Sequence, residues 1–197
     1  MRVLLLTLLL LGCTTQTAGP NRLMVPGAAV GDLQAGATLT DAKTLFGAAN
    51  VQPIQINLGE GESALGVAIF ANDEANRIEF LMDSRQRLIA AHIDATDSRC
   101  HLVGEIGIGS SLKQLEQTNG GPFALYGFEW DLGGTVTNWR QGKMAKFAPH
   151  LSLRLTPDSV SEDTIKLLGD TQFPSEAPEM QRVNPVVSEI WIDLPVD

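Results

Sequence analysis

The sequence predicts an α+β fold of two tandem repeats, each a short helix packed on one face of a roughly four-stranded antiparallel sheet. Three observations predict it. Residues 31–39 (GDLQAGATL) are matched at a constant offset of 73 by residues 104–112 (GEIGIGSSL), and the match runs on to Gly47 against Gly120. Each copy carries start and stop signals for a helix. Each helix is followed by segments whose apolar residues alternate, the period of a strand with one buried face.

The helices come first. Thr38 with Asp41, and Ser111 with Gln114, stand at the N-cap and third helical positions, the spacing of a capping box. Leu39, Ala42, Leu45 and Phe46 put apolar groups on one helical face, and Leu112 and Leu115 do so more thinly. Gly47 and Gly120 suit the left-handed position that ends a helix. In the first copy, Ile54, Ile56 and Leu58 alternate with Gln55 and Asn57; residues 64–71 are an apolar run; Ile78, Phe80 and Met82 alternate with Arg77 and Glu79; and residues 88–94 close the set. In the second copy the expected strands are 123–131, 135–139, 151–156 and 189–194. The second copy also carries an insertion at 157–188, with a capped helix at 159–168 ended by Gly169. Pro174, Pro178 and Pro185 then interrupt residues 170–185, and a connection so long and irregular is expected to be functional or mobile. The expected domains are a first repeat at 31–103 and a second at 104–197.

The start of the chain reads as an address. Arg2 precedes an apolar run, residues 3–11, broken only by Thr7. That run is far shorter than the ~20 residues a spanning helix needs, so residues 1–12 read as a signal peptide. Leu10-Leu11-Gly12-Cys13 resembles the bacterial lipobox, with Leu11 a departure from the smaller or β-branched residue usual there. The resemblance implies cleavage before Cys13, lipidation of its thiol, and anchoring in the bacterial cell envelope. With Thr14 rather than Asp next to Cys13, the expected place is the outer membrane, facing the periplasm. Residues 13–30 are expected to be the lipidated N-terminus and a flexible tether, because 14–30 have no usable periodicity; seventeen such residues reach roughly 20–25 Å.

The formal charge is −9, or −10 once Arg2 leaves with the signal. Such a surface repels phosphate backbones, so no nucleic-acid role is expected. Cys100 is the only cysteine besides Cys13; it is read as a buried small hydrophobe, with a reactive thiol between Arg99 and His101 as the alternative. Cys100, His101 and Asp97 make a poor thiol–imidazole pair, because adjacent strand residues point to opposite faces. His92, His101 and His150 fall in no metal-binding motif, and no cofactor signature occurs. Glu129 and Asp131 are read as a solvated hairpin end rather than a calcium site or paired carboxylates. No catalytic residue and no metal ligand is therefore assigned.

The helix-turn motif, through Gly36, Leu39, Gly47, Gly109, Leu112, Gly120 and Pro122, resembles the small outer-membrane assembly lipoproteins of the SmpA/OmlA type. The tandem arrangement resembles the β-lactamase-inhibitor-protein fold. These resemblances cover about residues 31–130 and imply non-catalytic binding of an envelope protein, an assembly partner or an enzyme to be inhibited. All three tryptophans and the only tyrosine lie beyond residue 125. Tyr126, Trp130, Trp139 and Trp191 are thus the candidate binding residues, with core filling as the alternative. Trp191 shares strand parity with Glu189 and Asp193, opposite Ile190 and Ile192, and is expected on an open sheet face. A glycan or other small ligand stacked on these rings is the second function expected, and a thiol enzyme the third.

Overall fold

The computed structural model describes residues 21–59 and 61–196. The segment expected to be a signal peptide, residues 1–12, and the expected lipidation site, Cys13, lie outside them. The architecture is α+β, with antiparallel strands in three sheets and several short helices.

The local signals behave as physics requires. Helices α1 (Leu39–Phe46) and α2 (Leu112–Asn119) both carry the reciprocal capping box, Thr38 with Asp41 and Ser111 with Gln114. Gly120 closes α2 in the left-handed conformation, whereas Gly47 leaves α1 at positive φ but with extended ψ. After α1 the chain makes a four-stranded meander, labelled β4 (Val51–Gly59), β5 (Glu62–Ile69), β6 (Ile78–Met82) and β7 (Leu88–Ile93) because three short strands precede it. Each pairs antiparallel with the next.

The second segment, residues 104–197, does not build the four-stranded sheet expected of it. Its strands β10 (Leu151–Thr156) and β12 (Val186–Asp193) extend the first copy's sheet, in the order β10-β12-β7-β6-β5-β4. Strand β12 lines up Ile190 with Ile93 and Ile192 with Ala91. All four are buried, so the edge of β7 gains a partner whose apolar side matches its own. The remaining strands, β8 (Ala124–Tyr126) and β9 (Val136–Asn138), join β11 (Gln172–Pro174) in a three-stranded sheet. Strand β8 stops far short of residue 131 because the Gly127 and Phe128 amides bond the Thr171 and Leu167 carbonyls, an approach that needs glycine. At Gly127 a Cβ would sit 2.5 Å from the carbonyl oxygens of Leu167 and Gly169, and Glu129 has φ +62°.

Two segments expected to be loose are built in. Residues 21–30, assigned to the tether, hold β1 (Met24–Val25) and β2 (Ala29–Val30), which form a small sheet with β3 (Leu33–Gln34). Met24 and Val30 are fully buried. The insertion folds into α3 (Glu162–Lys166), β11 and α4 (Pro178–Val183). Met180 and Ser175 are completely buried there, and Ser175 bonds Phe123 and Glu116. One core joins Phe80, Ile93, Ile190 and Ile192 from the sheet to Leu112 and Leu115 of α2 and Ala42 of α1.

Candidate functional site

Period-two alternation decides what the six-stranded sheet shows to solvent. Ile190, Ile192, Ile93 and Phe80 point into the core, so their neighbours share the opposite face. Strand register then lays Ser152, Trp191, His92 and Glu79 side by side across β10, β12, β7 and β6. In the adjoining register, Arg154 stands opposite Glu189.

These side chains form a charged ladder. His92 Nδ1 lies 3.2 Å from Glu79 Oε2, and Nε2 lies 3.1 Å from Glu189 Oε1. Both neighbours are carboxylates, which only accept hydrogen bonds when ionised, so both ring nitrogens donate and the imidazole is a cation. Burial opposes that charge, but the bonds to Glu189 and Glu79 outweigh it and hold the His92 pKa up at about 9. The bond from His92 in turn holds Glu189 down at about 2 against burial, helped by Trp191, and lowers Glu79 as well. Arg77 pairs with Glu79 at one end, and Arg154 Nε lies 3.2 Å from Glu189 Oε2 at the other.

The ladder fixes an aromatic surface. The Trp191 indole lies on the His92 ring, with centroids 4.2 Å apart and planes 23° apart. Its Nε1 donates to Glu189 Oε1 at 2.8 Å. His92 thus covers one indole face, and the indole itself is half-buried and lines a cleft. Trp130 arrives from the loop after β8, held by its Nε1 bond to the Gly127 carbonyl at 3.1 Å and by Tyr126 edge-on at 5.0 Å. The two tryptophans line one open cleft of about 800 Å³. Its floor is His92, Trp191, Ser152 and Arg154. One wall is the end of the β4–β5 hairpin at Asn57, Leu58 and Gly59, and the other is the loop of Asp131 and Leu132. The sheet curls enough for β4, its far edge, to face β12 across this space. Gly66 helps the curl: a Cβ there would sit 2.5 Å from Ile56 Cδ1 and 2.6 Å from the Phe80 carbonyl oxygen, so its absence lets Ile56 pack across β5.

Of the four expected binding residues, Trp191 and Trp130 line the cleft, and Tyr126 buttresses Trp130. Trp139 does not take part. It is 4% exposed and packs on Phe123 in the core, 5.3 Å between centroids. The insertion, expected to be functional or mobile, does not line the cleft: Gln181 and Ser175 bond Glu116 of α2, and Arg182 pairs with Asp163 of α3. Cys100 is 1% exposed, and burial pushes its thiol pKa up, which fits the small-hydrophobe reading and not a reactive thiolate. Glu129 and Asp131 lie outside any strand and are exposed. Among the described residues no group of His, Cys, Asp or Glu has metal-binding geometry, and no helix is long and apolar enough to cross a membrane.

Sequence reasoning missed His92, Glu79, Glu189 and Arg154. The available signal was His92 itself, a polar side chain inside the apolar segment Leu88–Ile93, with Glu79 on the neighbouring strand. Comparison with known proteins adds no name to this geometry: no family model, no curated protein and no solved structure matches the chain.

Proposed function

We propose that this chain is an envelope-anchored, non-catalytic binding protein that holds its ligand in the cleft between the β4–β5 hairpin and the Trp130 loop. The observation that carries this reading is Trp191. Its indole is held flat against His92 of a partly buried ion pair and lines a concave, polar-rimmed space. A ring held that firmly loses little further freedom when something stacks on it, which is what preorganisation supplies to affinity. A volume of about 800 Å³ lies in the range of small-ligand sites, roughly 300–1,000 Å³. The anchor is supported by the lipobox around Cys13. Cys13→Ala should abolish labelling by a palmitate analogue and release the protein from membranes.

The test of the cleft uses the indole N–H resonances of the three tryptophans, recorded while saccharide, peptide and metabolite fractions of a bacterial envelope are added. Trp130 and Trp191 should shift with one fraction and Trp139 should stay still. Chemical alteration of the bound component would overturn the non-catalytic part.

A protein partner, the reading that the two family resemblances imply, has one observation of its own. Val160, Ile165 and Leu168 on and around α3 are 80%, 58% and 41% exposed, an apolar grouping of the kind that marks contact surfaces. Broadening of methyl resonances there, with both indoles unmoved, would favour it.

A further inference from the structure

We infer that the ligand of this cleft, taking the cleft reading above as given, is a short neutral oligosaccharide, with one sugar ring stacked on the Trp191 indole face opposite His92 and its hydroxyls bonded to Asp94, Asp131 and Ser152.

Charge narrows the class first. Among the described residues, the cleft is lined by two cations, His92 and Arg154, and three anions, Asp94, Asp131 and Glu189. Most of that charge is already paired. Glu189 Oε1 accepts from both His92 and Trp191, and its other oxygen faces Arg154. Arg154 also donates to the Asp131 carbonyl at 2.7 Å. A strongly anionic ligand would meet an excess of carboxylates. A strongly cationic one would find His92 and Arg154 on the floor beneath it. The lining suits a ligand without net charge.

Hydrogen-bonding chemistry narrows it further. The Asp94 and Asp131 carboxylates are exposed and accept no hydrogen bond from any described side chain. They are acceptors awaiting donors. Asn57, Thr135 and Ser152 on the same lining both donate and accept. A hydroxyl also does both, so a ligand dense in hydroxyls satisfies acceptor-only and mixed groups together. An extended peptide offers fewer donors per length, and they alternate in direction.

Shape completes the case. A sugar ring has an apolar C–H face and a polar rim, and Trp191 offers the complement: an apolar indole face ringed by Ser152, Arg154 and Asp94. Trp130 supplies a second platform beyond the first ring, and exposed Leu58 and Leu132 close the sides. The cleft is open along its length rather than enclosed, which fits a chain better than a single isolated ring.

The test titrates the full chain, kept in a detergent without a sugar headgroup, with chitotriose, cellotriose and maltotriose, and with an Ala-Lys-Ala-Lys peptide. Binding is read by calorimetry and tryptophan emission. The expected result is saturable binding of at least one trisaccharide, weakened about thirtyfold by Trp191→Ala and about tenfold by Asp131→Asn. Asp94→Asn and Asp131→Asn replace exposed groups, so they report on binding even if Trp191→Ala fails to fold. Absence of trisaccharide binding into the millimolar range overturns the inference. If the peptide binds instead and shifts the indoles, the ligand class is wrong and the cleft reading stands. If nothing added moves either indole, in this panel or in the envelope fractions, both readings fall.

Discussion

Helices α1 and α2 begin with the same device and end up in different roles. Both have a capping box and a glycine stop, yet α1 buries only Ala42, while α2 buries Leu112, Leu115 and Asn119. Leu45, on the apolar stripe of α1, is 47% exposed. The difference lies in what each helix meets. Around α2 the chain has folded the insertion inward, so Glu116 bonds Ser175 and Gln181, and Asn119 bonds the Gly121 and Trp139 carbonyls and the Met144 amide. Local sequence sets where a helix starts and stops; long-range partners set what it is worth.

The sharpest way to break this contrast is a pair of truncations. Leu112→Ala should cost about 2–5 kcal/mol, as for other fully buried leucines, whereas Leu45→Ala should stay within about 0.5 kcal/mol; urea unfolding of both variants reads the gap. Asn119→Ala should cost about 2 kcal/mol, because it strands the buried Met144 amide, while the Trp139 carbonyl keeps its bond from the Gly142 amide. Equal losses at Leu45 and Leu112 would remove the distinction.

Residues 31–103 and 104–197 are also joined by the charged ladder, Glu79 and His92 coming from the first segment and Glu189 and Arg154 from the second. The His92 pKa is raised from 6.5 to about 9, so its contribution to stability is complete below pH ~6.5 and is lost as pH rises through about 9. The Glu189 pKa is lowered from 4.5 to about 2, so its contribution is present above pH ~4.5 and lost as pH falls through about 2. Thermal midpoints should therefore peak between about pH 4.5 and 6.5, and His92→Gln should flatten the alkaline limb. An unchanged alkaline limb would mean that the ladder does not couple the copies. The caps should give a modest and equal effect: Thr38→Ala and Ser111→Ala should each cost about 1 kcal/mol, alike at both helices because the cap is the part they share.

What the sequence made legible follows the same division. Capping boxes and the four strands after α1, two read from alternation and two from short apolar segments, were readable because they depend on residues a few positions apart. Strand β12 was readable too, down to which face Trp191 takes, since parity against Ile190 and Ile192 is local. Its neighbours were not. Nothing near residue 190 announces pairing with β7, a hundred residues away, so the second copy was expected to close its own sheet. Strands β1, β2 and β3, two residues each, are too short to show a period and were read as tether and turn. In the site, the tryptophans stood out by composition. The ladder beneath them did not, since His92 becomes informative only once register sets it between Glu79 and Glu189. Trp139 shows the converse: an aromatic ring flagged by type and placed by packing against Phe123.

The position of β12 has a consequence for the order in which the molecule can be completed. Residues 186–193 are synthesised late, yet they lie between β7 and β10, and the Asp193 carbonyl accepts a bond from the Gly27 amide, more than a hundred residues earlier. Until they arrive, β7 has a bare edge of unpaired amides and carbonyls, an invitation to pair with another chain. Pairings of such sequence separation also form slowly. The nascent protein therefore passes through a stage in which an inner strand of its largest sheet is missing and the β7 edge has the most to lose.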